Sequence, residues 1–155
     1  RGLVQTLGNG GRYLGIEVSQ DMVPVAQKTL RDAGEADIRI HAGDCHDAAV
    51  DVASIDGLMA VNVLYFVEDL EGLLARIYPW FRAGGRCVFG IRPAATLQNL
   101  CFHEFGFHIR SPEVIENALS RNGFGDITMT EFDEGEGKLG EIRFPNGSII
   151  IKATV

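Results

Sequence analysis

The stretch Arg12 to Val18 (RYLGIEV) constrains the fold more than any other part of the chain. It is a short apolar run set between Gly10-Gly11 and Ser19-Gln20-Asp21, so it reads as a buried strand that feeds directly into a helix start. The helix that follows places Met22, Val25, Ala26, Leu30 and Ala33 on one face, with Gly34 where a C-terminal cap belongs. The alternation then recurs. Asp37 to His41 reads as a second strand and Ile55 to Val63 as a third, with the polar turn Ala42 to Asp47 between them. Leu70, Leu73, Leu74, Ile77 and Phe81 repeat at helical spacing and stop at Ala83-Gly84-Gly85, ahead of a strand over Arg86 to Ile91. Pro79 would cost an uninterrupted helix about 3 kcal/mol, which predicts a kink or an early end there.

Ser111-Pro112-Glu113 opens another helix, with Ser at the N-cap, Pro at the first helical position and an acid near the positive end of the dipole. That helix ends near Asn122-Gly123. Two further strands, Asp126 to Phe132 and Ser148 to Val155, flank the Gly- and Glu-rich stretch Asp133 to Gly140 and the turn Pro145-Asn146-Gly147, and should pair as an antiparallel hairpin. Strand and helix alternate throughout, so the expected class is α/β: a mostly parallel sheet with right-handed crossovers, closed by a C-terminal antiparallel hairpin. Residues 1–155 read as a single domain without repeats or low-complexity linkers.

Charge narrows the partners. A net charge of −7 supplies no basic face to neutralise phosphates, which argues against nucleic acid or an anionic membrane and for a small-molecule substrate. Cys45, Cys87 and Cys101 are odd in number and widely spaced, so neither a disulfide framework nor a metal site is expected; they read as reduced thiols of a cytoplasmic protein. No apolar run approaches the roughly 20 residues of a membrane span.

In an open parallel sheet, ligands bind beyond the carboxyl ends of the strands. Those tips carry Glu17, then Asp44 with Cys45, then Asn62 with Tyr65. An acid after a strand of this type can accept two charge-assisted hydrogen bonds from a ribose diol. A solvated loop acid beside a helix start would look the same in isolation.

The ordered set adds what single residues lack. Gly15-Ile16-Glu17-Val18-Ser19 with Met22, then Gly43-Asp44-Cys45, then Val61 to Asp69 (VNVLYFVED), then Ala83-Gly84-Gly85-Arg86, then Ser111-Pro112-Glu113 and Gly123-Phe124 occur in this sequence order. In that order the chain resembles the class I S-adenosylmethionine-dependent methyltransferases, particularly those acting on small molecules, over nearly its whole length. The resemblance implies a Rossmann-like fold with S-adenosyl-L-methionine as cofactor. It implies that Glu17 binds the ribose hydroxyls, that Val18 or Met22 packs on the adenine, and that Asp44 takes the adenine amino group while the backbone N–H of Cys45 meets a ring nitrogen. Asn62, Val63 and Tyr65 would line the methionine end of the cofactor and the acceptor pocket. The variable segment Arg92 to Ile109 would form a substrate lid, and His103, His108 and Tyr65 are the candidates for a catalytic base. A strong base is not obligatory, because the sulfonium is already an activated donor and transfer depends on positioning and on exclusion of water.

One departure from the family pattern is expected to matter. The family's first strand, glycine-rich loop and connecting helix should precede Arg12, yet only Arg1 to Gly11 do. Parallel neighbours need a crossover of about a dozen residues, so Gly2 to Leu7 reads as the tail of the connecting helix, ended by Gly8-Asn9-Gly10. The opening residue, Arg1, reads as a start inside a longer gene product. The domain is therefore expected to be N-terminally truncated, with a vacancy between the strands ending at Glu17 and Asn62. Facing backbone groups about twice the usual strand spacing of roughly 4.8 Å apart must find partners, which makes a homo-oligomer one expected solution. Two functional classes follow: a methyltransferase impaired in this chain, or a non-catalytic binding or scaffold module that keeps the fold. A nicotinamide-dependent dehydrogenase, which also places an acid after its second strand, fits the terminal hairpin less well.

Overall fold

Apolar alternation in Arg12–Glu17 (β1) sends Tyr13, Gly15 and Glu17 to a half-buried side and Arg12, Leu14 and Ile16 to an exposed one. The computed structural model describes residues 2–8, 10–31, 33–34, 36–99 and 106–155. Its elements divide into two compact units, 1–49 and 50–155, considered separately below.

In the first unit, helix α1 (Gly2–Leu7) precedes β1, and α2 (Met22–Leu30) connects β1 to a parallel neighbour, β2 (Asp37–Ala42). The register runs from Arg12 opposite Asp37 to Glu17 opposite Ala42. A small core forms from Val4, Leu30 and Ala33, with Tyr13, Ala36, Ile38 and Ile40 packed against it. The helical face expected of α2 is only partly buried. Met22 and Val25 remain 47% and 49% exposed, while Leu30 and Ala33 are buried. A continuous helix to Gly34 is also not formed, because the chain leaves the helix at Arg31.

In the second unit, β3 (Ile55–Val61) pairs in parallel with β4 (Phe81–Ile91), connected by α3 (Leu70–Ile77). Asp69 caps α3, its carboxylate accepting the Gly72 N–H at 2.8 Å. The helix stops at Ile77 and Pro79 sits in a 3-10 turn over Tyr78–Trp80, which is the early end that proline dictates. Phe81, expected at the end of the helical stripe, instead begins β4. The short helix α4 (Ala94–Leu97) follows, then α5 (Pro112–Arg121), β5 (Gly125–Leu139) and β6 (Ile142–Thr154). Ser111 occupies the N-cap of α5, but its side chain caps no backbone amide; it hydrogen-bonds the Glu113 carboxyl and lowers its pKa. Leu73, Leu74 and Ile77 of α3 and Ile115, Ala118 and Leu119 of α5 are buried, as are Cys87, Phe89, Ile91, Ile149, Ile151 and Ala153 of the sheet. Glu71 joins the two helices by accepting hydrogen bonds from Arg121 and from Asn122, the latter at 2.6 Å.

The strand order is β3-β4-β6-β5, with β6 antiparallel to both β4 and β5, so the expected C-terminal hairpin of β5 and β6 joins the sheet through β6. Two strand boundaries differ. The Gly- and Glu-rich stretch expected as a loop continues β5 to Leu139, and Pro145-Asn146-Gly147 lies inside β6 rather than at the turn. The reversal occurs at Gly140-Glu141, where Gly140 takes φ +61°. Cross-strand pairing explains the extension, since Leu139 sits opposite Ile142 and Arg143 donates to Glu136 across the strands, with an irregularity between Asp133 and Glu136 absorbing one extra residue. Among the described residues, hydrogen bonding defines a two-stranded and a four-stranded sheet, in which β1 and β3, the strands expected to flank the vacancy, each pair with one other strand. Among the described residues, no helix is long and apolar enough to cross a membrane.

Candidate functional site

The first unit gathers two acids at the carboxyl end of its sheet. Glu17 closes β1, and its carbonyl accepts the Gly43 N–H at 2.9 Å, which ties the loop after β2 to the tip of β1. Asp44 is therefore held beside Glu17's strand end by backbone rather than by side-chain contact. The Glu17 carboxylate accepts the Ser19 N–H through Oε1 at 2.9 Å, leaving Oε2 without a partner among the described residues. Gly43 is required by close approach: a Cβ there would stand 2.9 Å from the His41 ring. That ring lies under the loop with Nε2 buried and unpartnered among the described residues.

Asp44 shapes its own turn. Its Oδ1 accepts the His46 N–H at 2.8 Å and the Cys45 thiol at 3.4 Å. The His46 N–H, foremost, holds the Asp44 carboxyl below the usual carboxylate range, assisted by the Cys45 thiol and by charge on His46 and His41 against a small desolvation. Asp44, Cys45 and His46 bring one potential ligand atom each within 4.8 Å of one another, but these are three consecutive residues of one turn with Asp44 already bonded to both neighbours. Val18 and Met22 are exposed near the tip of β1, available to an apolar ring.

In the second unit, Asn62 leaves the end of β3 with φ +58°, a left-handed conformation that turns the chain out of the sheet, and its N–H donates to Gly90 at 2.8 Å. The chain then makes a 3-10 turn over Leu64–Phe66. Leu64 and Tyr65 are buried, whereas Phe66 is 58% exposed. Tyr65 stacks on Phe107 with ring centres 5.0 Å apart and planes within 11°, and Phe66 lies 4.8 Å from the same ring. His108 donates its backbone N–H to the Tyr65 carbonyl at 2.6 Å. Burial pushes the Tyr65 hydroxyl up from its usual pKa, with the Arg92 charge opposing. Leu64, Tyr65, Ile91, Arg92, His108 and Arg110 line a shallow pocket at this end of the sheet. Arg92 fixes its far side, donating through one nitrogen to Glu134 at 2.7 Å, Asn146 at 3.0 Å and the Gly147 carbonyl at 2.9 Å.

Of the sequence-predicted residues, Glu17, Val18, Met22, Asp44 and Cys45 thus fall at the carboxyl end of the first unit's strands, and Asn62, Val63, Tyr65 and His108 at that of the second unit's. His103, with Phe102, Phe105 and Cys101, lies outside the described residues. Arg92 and Arg110 carry no local motif, and sequence reasoning missed both.

Residues 2–89 match the profile of a family described as a methyltransferase domain. The chain belongs to that family. An uncharacterized 37.1 kDa protein in transposon Tn4556 of Streptomyces fradiae is 32% identical over 88 residues, which is 57% of this chain; the chain spans about a quarter (25%) of that relative. A S-adenosylmethionine-dependent methyltransferase of Archaeoglobus fulgidus superposes with a TM-score of 0.65 at 16% identity, covering 99% of this chain and 94% of its own. Phosphoethanolamine N-methyltransferase 2 of Haemonchus contortus, in complex with S-adenosyl-L-methionine, gives 0.70 at 14% identity, covering 95% and 49%. Likeness at these identities shows the fold, the class I methyltransferase fold, and the cofactor of such domains is S-adenosylmethionine. The residues present fit its nucleoside: the open Glu17 Oε2 suits a hydroxyl donor, and an ionised Asp44 suits an amino group. For the methionine end, Gly8, Gly10 and Gly11 lie between α1 and β1 rather than between a strand and a helix, so they form no phosphate-loop-like cradle.

Proposed function

We propose that this chain is a methyltransferase domain that transfers the methyl group of S-adenosylmethionine to a small-molecule acceptor. Glu17 accepts the ribose hydroxyls, Val18 and Met22 cover the adenine, and Asp44 takes its amino group while the Cys45 N–H meets a ring nitrogen. Asn62, Val63 and Tyr65 line the methionine end and the acceptor pocket. Tyr65 and His108 are the described candidates for a proton acceptor; His103 is a third. The observation that carries the reading is the Gly43 N–H to Glu17 carbonyl bond, which brings the two acid-bearing tips together as a nucleoside requires. That β1 and β3 each pair with one other strand among the described residues also supports a homo-oligomer that pairs along a strand edge.

Calorimetric titration of this chain with S-adenosylhomocysteine is the test: saturable binding is expected, and no binding would refute the cofactor assignment.

A further inference from the structure

One side chain from 42 or more residues downstream collects the carbonyls around the end of the 3-10 turn after β3, those of Val67 and Glu68 and that of Leu64, which also accepts the Val67 N–H at 3.4 Å. The Arg110 guanidinium donates through one nitrogen to the carbonyls of Leu64 at 3.0 Å and His108 at 3.2 Å, and through the other to those of Val67 and Glu68, each at 2.7 Å. From this geometry we infer that Arg110 is a positioning residue, which holds the Asn62 to Glu68 loop in the one conformation that meets the methionine end of the cofactor. The inference rests on the proposed function for the placement of that end.

Three features separate this role from simple capping. The Glu68 carbonyl lies at the surface, where water would satisfy it equally well, so stability alone does not call for a guanidinium there. Leu64 and Tyr65 anchor the middle of the loop, but Asn62, Val63, Phe66 and Glu68 around them are exposed, so the course of the chain on either side of the turn depends on the hydrogen bonds that hold it. The clamp is itself rigid at its base. Arg110 directly precedes the Ser111 N-cap of α5, whose Ile115 and Leu119 are buried, so the guanidinium is presented from a fixed helix start. The planar fork is what matches four carbonyls at once. A lysine ammonium keeps the charge and the favourable interaction with a helix C-terminus, but cannot span the set.

The test compares the whole chain with Arg110→Gln and, should that variant fold poorly, Arg110→Lys. Amide exchange is read at Phe66, Val67 and His108, whose N–H groups are bonded to Val63, Leu64 and Tyr65. Exchange should accelerate there and stay unchanged in α3 and α5. Affinities for S-adenosylhomocysteine and for adenosine are then measured on the same samples. Affinity for S-adenosylhomocysteine should fall by about tenfold, equivalent to about 1.4 kcal/mol, with adenosine within about twofold, because only the former carries the methionine end. Unchanged exchange overturns the inference, as does unchanged S-adenosylhomocysteine binding or an equal fall for both ligands. If the wild-type chain binds neither ligand, the cofactor reading itself fails and the inference falls with it, an outcome distinct from a wild type that binds and a variant that binds as well.

Discussion

Replacing Glu17 by Gln isolates the contribution of one carboxylate to nucleoside recognition. In the structure, Oε1 is occupied by the Ser19 N–H at 2.9 Å and Oε2 is open, so glutamine can keep the first bond through its amide oxygen. What it then offers the ligand is an NH2 group, a donor where the ribose diol presents donors. The loss is that of a charge-assisted hydrogen bond, about 1.5–3 kcal/mol, which corresponds to roughly 10- to 150-fold in affinity. Glu17 is half-buried at a strand end and its backbone bond to Gly43 is untouched, so the melting temperature should not move. The assay is titration with adenosine and with adenine, followed by ligand-observed NMR where binding is weak. Adenosine affinity should fall by at least about tenfold while adenine, which has no ribose, is unaffected. Parallel losses for both ligands would mean that Glu17 shapes the tip of β1 rather than reads the sugar, and no loss would refute the assignment.

The lowered pKa of Asp44 makes a directional claim: a carboxyl whose folded value lies below its unfolded value of about 3.9 stabilises its turn above that pH, and this contribution is lost as pH falls through the folded value. A carbon-detected NMR titration should place its midpoint below about 3.9, and a midpoint above about 4.5 would overturn the hydrogen-bond account of the turn. Cys87, fully buried and with burial pushing its thiol up to about 11, should be inert in the folded chain. With Cys45 and Cys101 replaced by Ser, its labelling by a disulfide reagent near pH 8 should track unfolding, and rapid labelling of the native chain would show that the β4–β6 core opens.

Pattern and chemistry were legible where they act locally. Pro79 ended α3 because a missing N–H disrupts any helix, and Ser111-Pro112 marked the start of α5 because the first turn tolerates proline. The antiparallel pairing of β5 and β6 followed from two apolar runs near a turn. Tertiary pairing was not legible. Glu134 and Glu136 look like loop residues until Arg92 and Arg143 are seen to hold them, and the reversal therefore moves from Asn146-Gly147 to Gly140-Glu141. Met22 and Val25 have the spacing of a core stripe but stay exposed, since periodicity says that a face is apolar and not what covers it.

The candidate site divides along the same line, and the division has a chemical reason. A nucleoside offers a fixed pattern of donors, so single acids at strand tips can recognise it, and Glu17 and Asp44 are proposed for that role from their place in the ordered set of motifs. An acceptor for methyl transfer needs position and shelter more than it needs charge, because the donor sulfonium is already activated. Position comes from contacts between distant residues: Arg92 fastens the end of β4 to Glu134, Asn146 and Gly147, and Arg110 fastens the turn after β3 to the segment ahead of α5. Neither arginine touches its partners through any sequence motif. Differences in acceptor among domains of this fold are therefore expected to track the rings carried by the turn that Arg110 fastens, Tyr65 and Phe66 here with Phe107 packed on them, rather than the acids proposed for the cofactor.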